Sequence, residues 1–342
     1  VEFSKTINDF THNFIQIGHG SLGGKARGLA FANLLLSKKN IIKRYPNINI
    51  RVPKIISIGT DEFDEFMDLN DLWDLSLAAN NNTTILNAFI ASNLPDRISN
   101  ILKDVINNIS YPLAIRSSSL LEDSQYQPLA GMYSTFMLPN SNPSKIERHK
   151  QLCEAIKRVY ASTFFQSPKS LMTNTIHRQE EEKMGIIIME LGGKKHRELF
   201  YPSFSGVAQS FNYYPVSYMK RDEGVLFTAL GLGKTIVDGE KSLRFSPKYP
   251  KILPQYYSVK STINNSQNKF YALDMNNGKN PLTKGEANNL KKFDLSVAEY
   301  DGELQHIASV VTSDETIRDS LNYKGTRVLT FSNIIKYNMF PL

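Results

Sequence analysis

An α/β (α+β) fold in two lobes is what this 342-residue sequence predicts, and three observations predict it. A short strand, a glycine turn and a helix follow one another in NFIQIGHGSLGGKARGLA. Strand and helix patterns then alternate as far as YPLAIRSSS, which is the arrangement of an α/β lobe. Near residue 180 the composition changes to β-branched and aromatic runs punctuated by Gly and Pro. Residues 1–180 are therefore expected to form one lobe and residues 181–342 a second, sheet-rich one.

Phe14, Ile15 and Ile17 mark the first strand, which ends at Gly18. From Lys25 to about Lys39, Leu29, Ala30, Ala32, Leu35 and Leu36 predict a helix. RVPKIISIG reads as the next strand, and TDEFDEFMD as a helix capped by Thr60, with acidic residues complementing the macrodipole in its first turn. ILNAFIASNLPDRISNILKDVINNI is helical on both sides of Pro95, and YPLAIRSSS is a strand expected to end on Arg116. Residues 140–150 read as a polar connection, 152–165 as a helix, and MGIIIMEL as an apolar strand after the charged run HRQEEEKMG. FSGVAQSFNYYP, VLFTALGLGKTIVDGE and LRFSPKYPK supply strands of the second lobe. Thr262 to Asn289 reads as a surface excursion, and Leu304, Ile307 and Val310 return to helical spacing.

With 41% hydrophobic and 21% charged residues, the chain has the composition of an ordinary globular protein. No apolar run reaches the roughly 18 residues that cross a bilayer, and VEFSKTINDF lacks a basic stretch before an apolar core, so neither a membrane span nor a secretory signal is expected. Cys153 has no second cysteine to pair with, which fits a reducing cytosol. A net charge of +7 and a pI near 9.2 favour anionic partners. The 40 Lys and Arg residues are dispersed and form no basic–aromatic stripe, so a nucleotide or phosphorylated metabolite is the simpler anion and no nucleic-acid partner is expected. The chain starts on Val and stops at NMFPL without a closing element, which suggests a piece of a larger protein.

Gly18, Gly20 and Gly23 satisfy G-x-G-x-x-G between a strand and a helix, but the carboxylate that a dinucleotide site needs about 20 residues later is missing. A P-loop fails as well, because Lys25 is followed by Ala26 and no hydroxyl stands where one should hold Mg²⁺. A protein-kinase loop lacks its H-R-D and D-F-G partners. What remains is Lys25 just inside the helix, where an ammonium and free backbone N–H groups can face one phosphate. The turn alone is equally compatible with glycines that merely allow tight packing.

A second constellation, IRSSSLLEDSQYQPLAGMYSTFMLPN, places Arg116 before the hydroxyls of Ser117, Ser118 and Ser119, then Glu122 and Asp123 and a Gly-Met turn. A guanidinium fork with adjacent hydroxyls suits phosphate oxygens. The serines could equally form an ordinary loop and Glu122 an ordinary ion pair.

Together, IGHGSLGGKARGLA and AIRSSSLLEDSQYQPLAGMYSTF resemble the nucleotide-binding domain of the phosphoenolpyruvate synthase and pyruvate phosphate dikinase family, an ATP-grasp fold. VYASTFF, MGIIIMEL, FSGVAQSFNYYP and ALGLGKTIVDGE are similar to later blocks of that family, so the resemblance covers roughly residues 14 to 247. It implies ATP and Mg²⁺ as cofactors and a phosphotransferase of the dikinase type. Lys25 and Arg116 match the family's phosphate-binding cations, here the catalytic pair, and Gly23, Gly24, Ser117, Ser118, Gly231 and Gly233 its nucleotide-binding loops. Met189 and Glu190 fall where the inter-lobe linker offers backbone groups to adenine. The implied partners are the phosphohistidine and PEP/pyruvate-type domains of a parent chain, a homodimer remaining open, and the implied location is cytoplasmic.

There are departures. Lys234 stands where the family usually has Glu after Gly-Leu-Gly, no metal-binding acidic strand is recognisable, and Glu303-Leu304-Gln305 sits in a helical context. None of the histidines at 12, 19, 149, 177, 196 and 306 has a phosphohistidine context or metal-ligand spacing. A catalytically inactive nucleotide sensor and, further off, a dinucleotide-dependent enzyme are the alternative readings.

Overall fold

Strand β1 (Phe14–Ile17) leads through the glycine turn into helix α1 (Gly23–Lys38) in a computed structural model, which describes residues 13–38, 43, 45–119, 131–172, 182–276, 282, 285 and 289–336. Two units make up the chain, Val1–Leu191 with Met275–Asn289 and Gly192–Asp274 with Leu290–Leu342. The architecture is α+β, with helices set against several sheets.

The first unit continues through β2 (Ile55–Ile58), α2 (Thr60–Leu69), α3 (Leu72–Ala78), α4 (Asn82–Ala91), α5 (Asp96–Asn108), β3 (Leu113–Ser119), β4 (Thr135–Leu138), α6 (Lys145–Ser162), α7 (Gln166–Met172) and β5 (Met184–Glu190). Its sheet runs β1-β2-β5-β3-β4. β5 is central, and its first five residues are buried, which is why MGIIIMEL reads as an unbroken apolar run rather than an alternating one. Met184, Ile186 and Ile188 face the main core, whereas Ile187 packs with Ala26 of α1 and Ile55 of β2 on the opposite face.

Helical periodicity builds that core. In α5, Ile98, Ile101, Leu102, Val105 and Ile106 recur at helical spacing and all are buried. Phe63 and Phe66 of α2 meet Tyr160 of α6 at ring distances of 5.1 and 5.5 Å. The chain returns to this unit after Asp274, where Ser141 Oγ donates to the Met275 carbonyl at 3.0 Å and Leu282 is buried in the core.

The second unit contains β6 (Lys194–His196), β7 (Leu199–Tyr201), β8 (Ser205–Gln209), β9 (Val225–Ala229), α8 (Lys234–Val237), β10 (Leu243–Phe245), α9 (Val259–Asn265), β11 (Lys269–Asp274), β12 (Leu290–Asp294), α10 (Leu295–Tyr300), β13 (Ala308–Val311), β14 (Ile317–Arg318), β15 (Thr326–Leu329) and α11 (Ser332–Ile335). Three sheets result, ordered β10-β9-β8, β12-β11-β7-β6 and β14-β13-β15.

Five local expectations change. β3 does not end on Arg116 but runs to Ser119, because Ser117, Ser118 and Ser119 pair with Ile186, Gly185 and Met184 of the long central strand. That pairing overrides the weak strand propensity of serine. The polar connection after Asn140 already becomes α6 at Lys145, with the Ser144 hydroxyl accepting from Glu147 N–H at 3.3 Å. Thr60 is the first residue of α2 rather than its cap, since its hydroxyl is used elsewhere. Thr262–Asn289 holds the end of α9 and all of β11, in which Phe270, Ala272, Leu273 and Asp274 are buried. Leu304 and Ile307 lie in turns leading to β13, whose four residues are all buried, so uniform burial there mimics helical spacing.

Candidate functional site

The carboxyl ends of β1, β2 and β3 lie along one edge of the first unit's sheet, because β1 and β2 are parallel and β5 runs antiparallel to both β2 and β3. The glycine turn leaves β1 at this edge, α2 starts here, and the serines of β3 end here.

Two sets of hydrogen bonds grip the turn. From α2, Thr60 Oγ1 accepts from Ser21 N–H at 3.0 Å, and Asp61 Oδ2 accepts from His19 N–H at 2.6 Å. The Thr60 N–H in turn donates to the Ser21 carbonyl at 3.0 Å. From β3, the buried Ser118 hydroxyl donates to the Leu22 carbonyl at 2.7 Å and accepts from Ala26 N–H at 3.2 Å. Gly23 lies at φ +74°, and a Cβ there would stand 1.8 Å from the Ser118 carbonyl oxygen, so only glycine fits.

The same packing delivers Lys25. Its Nζ lies 3.3 Å from Ser117 Oγ, one residue along β3 from Arg116. Arg116 stands opposite Ile187 in register and is half-buried. Because Ile187 packs with Ala26, Arg116 shares the sheet face that α1 covers. Residues 92 positions apart thus meet at one sheet edge. Ala26 N–H, one of the donors that the start of α1 could offer an anion, is engaged by Ser118 instead. Glu122 and Asp123 lie outside the described residues.

Met189 and Glu190 are not part of this cluster. They close β5 at the far edge of the sheet, where Ile55 and Leu113 begin β2 and β3. Ile186, opposite Ser117, is four residues from Glu190, about 13 Å of strand. The Glu190 carboxylate accepts two bonds from the Arg51 guanidinium at 2.6 and 2.7 Å and one from Lys54 N–H at 3.2 Å. The Arg51 bond holds the Glu190 carboxyl below its ordinary range, and Glu190 raises Arg51 in return. Burial beside this pair pushes the Tyr111 phenol up to about 12. The backbone N–H groups of Glu190 and Leu191 donate to Lys54 and Pro112 carbonyls at 2.9 Å each.

Gly231 and Gly233 belong to the second unit, in the loop between β9 and α8. Gly231 has φ +79°, with room for no Cβ beside the Tyr271 carbonyl, while Leu232 N–H donates to that same carbonyl at 2.9 Å. Lys234 pairs with Asp238 at 3.1 Å, and nearby Lys292 grips Glu240 at 2.7 and 2.6 Å. The bond from Lys292 holds the Glu240 carboxyl down. Glu303 sits in a turn, bound by Lys194 at 2.5 Å, rather than in a helix. Among the described residues no three His, Cys, Asp or Glu side chains are grouped to hold a metal ion, and no helix is long and apolar enough to cross a membrane.

Sequence reasoning missed Ser21, Thr60 and Asp61 as parts of the site. The only local signal was an acidic first turn in TDEFDEFMD, which reads just as well as a complement to the helix dipole.

A family model described as "Pyruvate phosphate dikinase, AMP/ATP-binding domain" matches residues 19–318. No curated protein matches the chain. The match takes in the glycine turn, the Arg-Ser strand and the Gly-Leu-Gly loop. The chain belongs to the AMP/ATP-binding domain family of pyruvate phosphate dikinase.

Proposed function

We propose that the chain binds ATP with the triphosphate against Lys25 and Arg116, as the nucleotide-binding part of a dikinase-type phosphotransferase. The observation that carries this reading is the approach of Lys25 Nζ to 3.3 Å from Ser117 Oγ, the residue after Arg116 in β3, at the carboxyl ends of three strands. That edge is where open α/β sheets take their ligands. In the reaction, the bond from phosphorus to the nucleotide oxygen breaks and a bond to an imidazole nitrogen forms, the histidine lying on a phosphohistidine domain of the parent chain. A PEP/pyruvate-type domain then receives the phosphoryl group. Negative charge on the phosphoryl oxygens is what two fixed cations stabilise in such a transfer, without having to reorganise as it proceeds.

Mg²⁺ enters this reading only as the ion that travels with the nucleotide. The described residues offer no group of three His, Cys, Asp or Glu side chains to hold it, and in the Asp61 carboxylate beside the turn Oδ2 is taken by His19 N–H.

The test is calorimetric titration of ATP into the wild type and into Lys25→Ala and Arg116→Ala. Loss of affinity in both variants supports the reading, and unchanged affinity in both sinks it.

A further inference from the structure

Leu22 and Ala26 are the acceptor and donor four residues apart that close the first turn of α1. A side chain from another element is built into that turn. The Ser118 hydroxyl donates to Leu22 O at 2.7 Å and accepts from Ala26 N at 3.2 Å, so it bridges the two ends of the first helical bond. It has no exposure, and both of its roles are used inside the fold. Ser117, the next residue, meets the Lys25 amine. Adjacent serines of one strand therefore hold the backbone that carries Lys25 and the group at the tip of its side chain.

The approach is close enough to dictate sequence on both sides. Gly23 has room for no side chain because the Ser118 carbonyl lies where a Cβ would be. Arg27, one turn on, donates from Nε to the Gly23 carbonyl at 3.1 Å and secures the same turn from outside.

We propose that Ser118 is a positioning residue for nucleotide binding, which sets the first turn of α1 and thereby the point at which Lys25 presents its ammonium. The proposal rests on the reading that Lys25 meets the triphosphate, and it gives Ser118 a role that involves no contact with nucleotide. Without the hydroxyl, Ala26 N–H and Leu22 O keep only each other. The backbone of the turn then loses its hydrogen bonds to Ser118, and the amine of Lys25 samples more positions.

The test is a double-mutant cycle in the full chain, with ATP as the titrated ligand and melting temperature as the control for folding. Ser118→Ala is expected to weaken ATP binding by about 3- to 10-fold, the loss of one or two neutral hydrogen bonds' worth of order. In the Lys25→Ala background the same substitution is expected to change affinity by less than about 2-fold, because the group it positions is gone. Equal losses in both backgrounds overturn the proposal, since a general structural defect acts whether or not Lys25 is present. If Lys25→Ala alone leaves affinity unchanged, the nucleotide reading fails instead. Should Ser118→Ala not fold, Ser118→Cys carries the cycle, because a thiol keeps a weaker donor and acceptor at the same place. It is expected to show the same dependence on Lys25, and independence overturns the proposal.

Discussion

Lys25 and Ser117 meet at 3.3 Å across 92 positions of sequence, and the encounter brings the one lysine of the glycine turn to the residue that follows Arg116 in β3. Strand pairing and helix packing, rather than any local motif, produce this meeting. Its consequences can be measured.

Hydrogen bonds to charged groups contribute about 1.5–3 kcal/mol each. Lys25→Ala and Arg116→Ala are each expected to weaken ATP binding by roughly 10- to 100-fold, at about 1.4 kcal/mol per factor of ten. Calorimetry at fixed ionic strength reads this directly. An Arg116→Lys variant is expected to recover only part of the loss, because a point ammonium cannot present a planar fork.

Gly23→Ala places a methyl group 1.8 Å from the Ser118 carbonyl and forces φ +74° on a residue with a side chain. The backbone conformation alone costs about 1–3 kcal/mol, and the overlap adds to it. A lowered melting temperature together with weakened ATP binding is expected. A variant as stable as the wild type would show that the turn is free to move away from β3.

Phe63 is completely buried, with ring centroids of Trp73, Tyr160 and Phe164 at 6.0, 5.1 and 6.2 Å. Phe63→Ala removes a side chain that anchors α2, and with it Thr60 and Asp61, to the core. A loss of about 3–5 kcal/mol is expected from the cavity and the lost transfer energy. Chemical denaturation followed by the fluorescence of the neighbouring Trp73 measures it.

His149 and His196 are both held below the ordinary imidazole range, chiefly by burial. Each binds a proton less readily folded than unfolded, so the stability it contributes is complete above the unfolded value near pH 6.5 and declines as the pH falls below it. A second decline follows in the carboxylate range. The hydrogen bond from Arg51 holds Glu190 below its usual 4.5. For Glu303, burial pushes upward most strongly, but the hydrogen bonds from Lys194 and Ser203 and the charges of Lys194 and His196 together outweigh it, so this carboxyl too sits below 4.5. The melting temperature is expected to fall as the pH drops below about 6.5, with a smaller fall in a His149→Gln, His196→Gln double variant. A wild-type profile that stays flat just below that pH contradicts the assignment.

Much of the architecture was legible because it is written in local periodicity. NFIQIG, RVPKIISIG and MGIIIMEL are strands by their apolar runs, and the residues around Pro95 are two helices by their spacing. The errors fall where tertiary pairing overrides local preference. Three serines are drawn into β3 by a long neighbour, and KFYALD is a strand within a stretch of mostly polar residues.

By itself, the sequence determined the strand–turn–helix order around the glycine turn, the family, and the residue types that a phosphate needs, since periodicity, turn chemistry and side-chain charge are properties of short segments. Only the tertiary structure decided that Ser118 lies inside the first turn of α1, that Thr60 and Asp61 grip the glycine turn, and that Glu190 faces Arg51 at the opposite edge of the sheet. Those bonds join residues 39 to 139 positions apart. Which distant donor meets which acceptor depends on strand order and register, and these follow from burying the whole chain's apolar surface at once.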